Sequence, residues 1–171
     1  VNFTINGYLN VDDDDRLSIS TLMHYLKASH TYYIDFELPF IRKELEDALD
    51  AKDNLSQLIL KLYDEYAHTI RNHMKYEEKT LFPFVSALMD GSIPTNYDIE
   101  TFSKHHNQVD IKLRELKNII IKYLPADNLR NNQLTHTLYD IYNSERWLSD
   151  HAQVEDRIFI PAIRRMQDSL R

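Results

Sequence analysis

The sequence contains no cysteine, so it forms no disulfide and offers no thiolate as a nucleophile or metal ligand. Any bound metal would be held by nitrogen and oxygen atoms. The chain of 171 residues also has only 2 glycines and 5 prolines. Because turn-rich β structure uses many more of these residues, their scarcity predicts long helices joined by short connections.

Clusters of basic residues and long apolar runs are also missing. The formal net charge is -7, and phosphate binding requires grouped lysine and arginine side chains. We therefore expect no nucleic acid and no anionic membrane surface as a partner. The sequence shows no signal peptide and no apolar run long enough to cross a bilayer. These features predict a cytoplasmic protein.

Apolar residues recur at helical spacing along most of the chain. Residues 1–16, which include the acidic run Asp12–Asp15, lack a sustained period and are interpreted as a solvated N-terminal arm. The remaining residues, 17–171, form the predicted helical domain. Its four predicted helices cover residues 17–51, 55–90, 98–124 and 129–170.

Four long helices with short connections predict an all-α fold, an antiparallel up-down-up-down four-helix bundle. The apolar stripes place Phe40 and Leu58 among the inward-facing residues. Pro39 falls inside the first helix and predicts a kink, because proline removes one helical hydrogen bond and clashes with the preceding turn. Gly91 is expected to end the second helix in a left-handed conformation.

One segment of the sequence occurs twice. His73–Pro83 reads HMKYEEKTLFP and aligns without a gap with His151–Pro161, which reads HAQVEDRIFIP. In both copies a histidine is followed four residues later by a glutamate, Glu77 or Glu155. Residues four apart lie on one face of a helix, so each histidine and glutamate pair is expected to point into the core together.

Two more histidines complete the pattern, one in each half of the chain. His30 precedes His73 by 43 positions, and His106 precedes the second histidine of the repeat by 45. Antiparallel packing would bring all four rings and both carboxylates to one level. Without compensation, burial would cost several kcal/mol per charge, which a bound metal pair would offset. The candidate ligands are His30, His73, Glu77, His106, His151 and Glu155, and this nitrogen-rich set favours iron ahead of manganese or zinc. The alternative is a metal-free polar core.

These segments resemble a known family. His30 followed by Glu37-Leu38-Pro39, the two copies of the repeat, and His106 with Leu113 seven residues later are similar to the hemerythrin-like, or HHE cation-binding, domains. The resemblance covers about residues 17–165 and is closest to the repair-of-iron-centres di-iron proteins. Asp110 stands where oxygen-carrying hemerythrins have a second histidine, and His-x3-Glu replaces their His-x4-Asp. Repair-of-iron-centres proteins usually begin with a cysteine-containing domain, so either such a domain is missing from the N-terminal side of these residues or the chain is a stand-alone member.

The resemblance implies two iron ions, bridged by an oxo or hydroxo group and by the carboxylates of Glu77 and Glu155. An open position on the iron would bind dioxygen, nitric oxide or peroxide. A protective role in nitrosative or oxidative stress is implied, either by iron delivery to damaged iron–sulfur proteins or by nitric oxide reduction. The alternative function is a module that binds or senses dioxygen or nitric oxide without net chemistry, so the sequence leaves open whether the chain is an enzyme.

Residues near the candidate ligands give further hypotheses. Asp110 lies one helical turn beyond His106 and is hypothesised to face the site. Trp147 precedes His151 by one turn and is expected to shield it. Tyr33 is interpreted either as lining an access path or, more simply, as a core residue. The remaining histidines are expected outside the site: His24, His68, His105 and His136.

Overall fold

A computed structural model describes residues 15–50, 52–94, 97–103, 110–122 and 129–171. Helices account for nearly all of these residues, and no strand occurs among them, as the sequence predicts. None of these helices is long and apolar enough to cross a membrane. The α-helices are α1 (Asp15–Tyr32), α2 (Leu38–Ala48), α3 (Asn54–Tyr76), α4 (Phe82–Met89), α5 (Ile99–Ser103), α6 (Asp110–Lys122), α7 (Leu129–Val154) and α8 (Ile160–Ser169).

Within the described ranges, three π-helical turns of five residues join some of these helices end to end. They are π1 (Tyr33–Glu37), π2 (Glu77–Leu81) and π3 (Glu155–Phe159). Each turn ends two residues before a proline. These prolines are Pro39 after π1, Pro83 after π2 and Pro161 after π3. Proline has no N–H and crowds the carbonyl four residues earlier, so a widened turn before it removes the conflict. The irregularity expected at Pro39 is therefore a π turn.

The π turns also explain one wrong prediction. A π turn contains one residue more than an α turn, so it rotates the following positions by about 100° relative to an uninterrupted helix. Phe40, predicted to face inward, lies after π1 and is 51% exposed, whereas Leu38 and Ile41 are buried. The prediction for Leu58 was wrong as well: it is 45% exposed, and its neighbour Ile59 takes the buried position.

Local interactions mark the two ends of the helical segment formed by α3, π2 and α4. Asp53 is the N-cap of α3, and its carboxylate accepts a hydrogen bond from the backbone N–H of Ser56. At the other end, Gly91 has a φ of 80°. Only glycine adopts that left-handed conformation without a steric penalty, and the predicted helix end at Gly91 is confirmed.

The buried apolar side chains form two clusters. Leu26 in α1 belongs to the first cluster, and Tyr33 in π1 belongs to the second. Along α7, Leu148 belongs to the second cluster and Val154 to the first. His30, Glu77 and His151 occupy positions between residues of the two clusters, so a polar layer lies between two apolar ends of the core.

Candidate metal centre

Four buried side chains meet in this polar layer. His30 comes from the end of α1, Glu77 begins π2, His151 lies in the last turn of α7, and Glu155 begins π3. Each offers one ligand atom, and these atoms all lie within 4.8 Å of one another. The side chains are at most 3% exposed. Residues from three separate helical segments therefore form one compact donor group.

The imidazole nitrogens lie directly opposite carboxylate oxygens. The Nε2 atom of His30 is 3.0 Å from Oε2 of Glu77. The other oxygen of that carboxylate, Oε1, is 3.0 Å from Nε2 of His73, whose side chain is 16% exposed. In the second copy of the repeat, Nε2 of His151 is 3.1 Å from Oε1 of Glu155. Glu77 thus has one imidazole at each of its two oxygens.

Several of these atoms are close together without forming a hydrogen bond. Within the described part of the chain, Nε2 of His30, Nε2 of His151 and both carboxylate oxygens of Glu77 are buried and have no hydrogen bond of normal geometry. Buried polar atoms in proteins nearly always have a partner. Converging nitrogen and oxygen lone pairs without partners are the arrangement that a metal cation would satisfy, so these donors fit a metal.

The charges of the site shift the proton equilibria of its members. Burial lowers the pKa of His30, but the nearby carboxylates of Glu77 and Glu155 outweigh burial, and the net shift is upward. Burial and the neighbouring carboxylate of Glu155 raise the pKa of Glu77, but His30 and His73 outweigh them and the net shift is downward. Both directions reflect strong attraction between negative carboxylates and a positive charge placed among them.

The outer nitrogens of two rings contact residues that the sequence analysis missed. Nδ1 of His30 is 3.2 Å from Oε1 of Glu78, and Nδ1 of His151 is 3.0 Å from Oγ of Ser29. Glu78 is the second glutamate of the repeated segment and Ser29 is adjacent to a candidate ligand. These sequence positions are the signals that could have identified them.

Aromatic rings enclose the donors. Phe82 stacks on His30 with ring centroids 5.7 Å apart, and Trp147 stacks on His151 at 5.5 Å. The expectation that Trp147 covers His151 is therefore confirmed. Tyr33 is fully buried, stacks on Trp147 at 4.7 Å and is hydrogen-bonded through its hydroxyl, which agrees with its interpretation as a core residue.

Some predicted residues cannot be placed at the site. His105 and His106 lie outside the described residues, and so does the side chain of Asp110, whose backbone begins α6. The histidines that were predicted to lie away from the site and that the structure describes are all exposed. They are His24, His68 and His136.

The fold and the donor group define a helical protein with a buried histidine and carboxylate cluster that could bind a metal ion. The Hemerythrin HHE cation binding domain family matches residues 21–163, and the chain belongs to that family. It is also similar to a curated protein named Protease 4 from Salmonella typhi, with 27% identity over 140 residues. That match covers 81% of this chain but only 22% of the relative, so the chain spans about a fifth of that protein's length. No solved structure matches the chain.

Proposed function

We propose that this chain is a non-haem di-iron protein acting in defence against nitrosative or oxidative stress. The protein would deliver iron to damaged iron–sulfur proteins or reduce nitric oxide at the two irons. Within the HHE family we place it with the repair-of-iron-centres proteins. One observation carries the proposal: converging buried nitrogen and oxygen atoms of His30, Glu77 and His151 that lack hydrogen bonds among the described residues.

Six residues would hold the metal pair: His30, His73, Glu77, His106, His151 and Glu155. Each of the two carboxylates would donate one oxygen to each ion. The four neutral imidazoles would be divided between the two ions. Two negative bridging groups offset half of the charge of two divalent ions, which suits a buried site. Imidazole together with carboxylate favours iron, with manganese and zinc as less favoured occupants.

His106 is retained in this set because of its sequence position in the third predicted helix. Phe102 belongs to the first apolar cluster and Leu116 to the second. His106 lies between these two positions in the sequence, as His30 lies between Leu26 and Tyr33 and His151 lies between Leu148 and Val154. The alternating order in which the four segments pass from one cluster to the other also supports an antiparallel up-down-up-down bundle.

Bound ferrous ions would supply an open coordination position for dioxygen, nitric oxide or peroxide. The protein contributes the surroundings of that position. Phe82 and Trp147 cover the imidazoles and limit access of water. The two apolar clusters on either side of the polar layer exclude solvent from the donors, which strengthens every charge interaction there.

Metal analysis tests the proposal directly. The purified protein, loaded anaerobically with ferrous iron, is expected to hold two irons per chain and, after oxidation, to absorb in the near ultraviolet and visible. Replacing Glu77 or Glu155 by alanine should remove the metal pair, whereas Glu65→Ala on the exposed side of α3 should not. Two irons retained in both Glu77→Ala and Glu155→Ala would overturn the proposed bridging role, and a metal-poor protein would overturn the function.

A second experiment separates iron delivery from simple binding. The di-iron protein is incubated with an iron–sulfur protein stripped of its cluster, and iron transfer is followed by restored cluster absorption. Transfer supports delivery. Retention of all iron, combined with reversible binding of dioxygen or nitric oxide, supports the alternative function of a carrier or sensor without net chemistry.

A further inference from the structure

His30 and His151 face each other in the core, and each ring also contacts a residue outside the donor group. Their ring centroids are 5.1 Å apart, and their Nε2 atoms point toward the carboxylates of the site. The opposite nitrogens, Nδ1, lie within hydrogen-bonding distance of Glu78 for His30 and of Ser29 for His151. Neither Ser29 nor Glu78 belongs to the proposed set of metal ligands.

The contact of Ser29 has a defined direction. A serine hydroxyl carries one proton, and Oγ of Ser29 donates that proton to the backbone carbonyl of Leu26 at 2.8 Å. The same Oγ lies 3.0 Å from Nδ1 of His151, in an environment where Ser29 is 8% exposed. With its proton already used, the hydroxyl acts as acceptor, so Nδ1 of His151 must carry the hydrogen.

The contact of Glu78 has the same direction for a different reason. An ionised carboxylate has only acceptor sites. Its Oε1 lies 3.2 Å from Nδ1 of His30, so this nitrogen donates. Glu78 is 43% exposed and stands on the opposite side of the imidazole from Glu77. It is therefore placed to orient the ring from outside the site.

A neutral imidazole has one protonated nitrogen and one with a free lone pair. If Nδ1 is protonated in both rings, both lone pairs belong to Nε2, the atom that faces Glu77 or Glu155. We propose that Ser29 and Glu78 are positioning residues that fix the tautomer and orientation of His151 and His30, so that each ring presents Nε2 to the metal. The inference rests on the proposed metal-binding function and assigns roles to two residues outside the ligand set.

Ser29 also connects two parts of the chain. It is adjacent in sequence to His30 on α1, yet its hydroxyl contacts a ring that α7 contributes. One helical turn therefore supplies a candidate ligand and the outer partner of another. Because outer partners increase the basicity of a ligating imidazole, the removal of either one should weaken metal binding.

Two pairs of variants test whether metal binding depends on the oxygen atom that accepts the hydrogen bond from each ring. Ser29→Ala and Glu78→Ala remove the acceptor, while Ser29→Thr and Glu78→Gln keep an oxygen at the same place. Ser169→Ala is the matched control for serine, because Ser169 also donates to a carbonyl three residues earlier, at 2.8 Å, and its own side chain is exposed at the end of α8. Glu65→Ala is the control for glutamate.

The first readout is the affinity for Zn²⁺, measured in competition with a chelator. Both alanine variants are expected to bind Zn²⁺ about 10- to 100-fold more weakly than the unchanged protein, the usual effect of losing an outer partner. Glu78→Gln and Ser29→Thr should lie between the alanine variants and the controls. Thermal unfolding of the metal-free variants shows whether any loss arises from packing instead.

The second readout is the tautomer itself, which a purely structural role would not change. Proton–nitrogen correlation spectra of the histidine rings in the Zn²⁺-loaded protein should show the hydrogen on Nδ1 and the metal on Nε2 for His30 and His151. In metal-free protein at a pH where the rings are neutral, Ser29→Ala should introduce the alternative tautomer of His151. Ser169→Ala should leave the spectrum unchanged.

The results distinguish this inference from the proposed function. If the unchanged protein binds Zn²⁺ and iron, but Ser29→Ala and Glu78→Ala bind Zn²⁺ as tightly as their controls, the positioning role is wrong and the metal site stands. Coordination through Nδ1 would likewise overturn the inference alone. A protein that takes up neither metal would overturn both.

Discussion

Glu77 and Glu155 occupy the same local position, the first residue of a five-residue π-helical turn. Each follows a histidine by four residues and precedes a proline by six. A third π turn begins at Tyr33, also six residues before a proline, and contributes no carboxylate to the donor group. The prolines thus explain the three turns, and the candidate site uses two of them. Widened turns of this kind are frequent at functional sites.

Replacing Pro83 by alanine tests the link between the π turn and metal binding. Alanine restores the missing N–H and favours the α-helical alternative by about 3 kcal/mol relative to proline. Reversion to a regular helix would change the rotation of Glu77 relative to Leu81 and Phe82. We expect a helical protein with weaker iron binding, measured by iron content and circular dichroism. Pro94→Ala, in the connection after Gly91, is the control, and unchanged iron binding by Pro83→Ala would contradict the prediction.

Trp147 should report metal binding by fluorescence. It is the single tryptophan of the chain, and its ring stacks on that of His151 with centroids 5.5 Å apart. An open-shell ion at Nε2 of His151 would therefore lie close enough to quench its emission. We expect stepwise quenching when ferrous iron is added anaerobically and much less when Zn²⁺ is added. Iron uptake with unchanged emission would show that the metal does not bind at His151.

The buried hydroxyl of Tyr33 is expected to contribute to stability. It lies 2.7 Å from the hydroxyl of Tyr66 and 2.6 Å from that of Ser144, and burial raises its pKa to about 12, so it remains a neutral donor. Tyr33→Phe would leave two buried hydroxyls short of a partner and lower the free energy of unfolding by about 1–3 kcal/mol. Urea denaturation measures this loss. Tyr139→Phe, at a 65% exposed position, should have no effect.

Tyr33→Phe should leave metal binding intact. The phenyl ring keeps its stacking on Trp147, and Tyr33 contributes no atom to the donor group. An equal loss of stability and iron affinity would contradict this separation between the hydrogen-bonded core and the site.

The N-cap of α3 predicts a pH dependence of stability. Hydrogen bonds from the backbone N–H and the hydroxyl of Ser56 lower the pKa of Asp53. A carboxylate with a lowered folded pKa stabilises the protein above its unfolded pKa of about 3.9, and this stabilisation is lost as the pH falls through the folded pKa. Asp53→Asn keeps an acceptor but does not titrate.

The measurement compares thermal midpoints of the unchanged protein and Asp53→Asn from about pH 6 to about pH 3. The difference between the two midpoints, with the unchanged protein higher, should shrink as the pH falls below about 4. A difference that is constant over this range would show that the ionised form of Asp53 contributes nothing to capping.

Much of the fold could be predicted because its signals are local. The helices follow from apolar periodicity and scarce glycine, and the helix end at Gly91 follows from capping chemistry. Phe40 was misplaced because the prediction assumed a uniform helical period across Pro39. The π turn before that proline inserts one residue, and its effect on the rotation of the following helix is absent from a simple hydrophobic pattern.

The sequence by itself determined the candidate donors, because the repeated His-x3-Glu spacing puts each histidine and its glutamate on one helical face. Only the tertiary structure decided which atoms face inward and what holds them from behind. Ser29 and His151 are 122 positions apart, and their contact depends on the packing of distant segments. Local spacing cannot encode such a contact, since the rotation of each helix about its axis is set by the side chains it meets across the core.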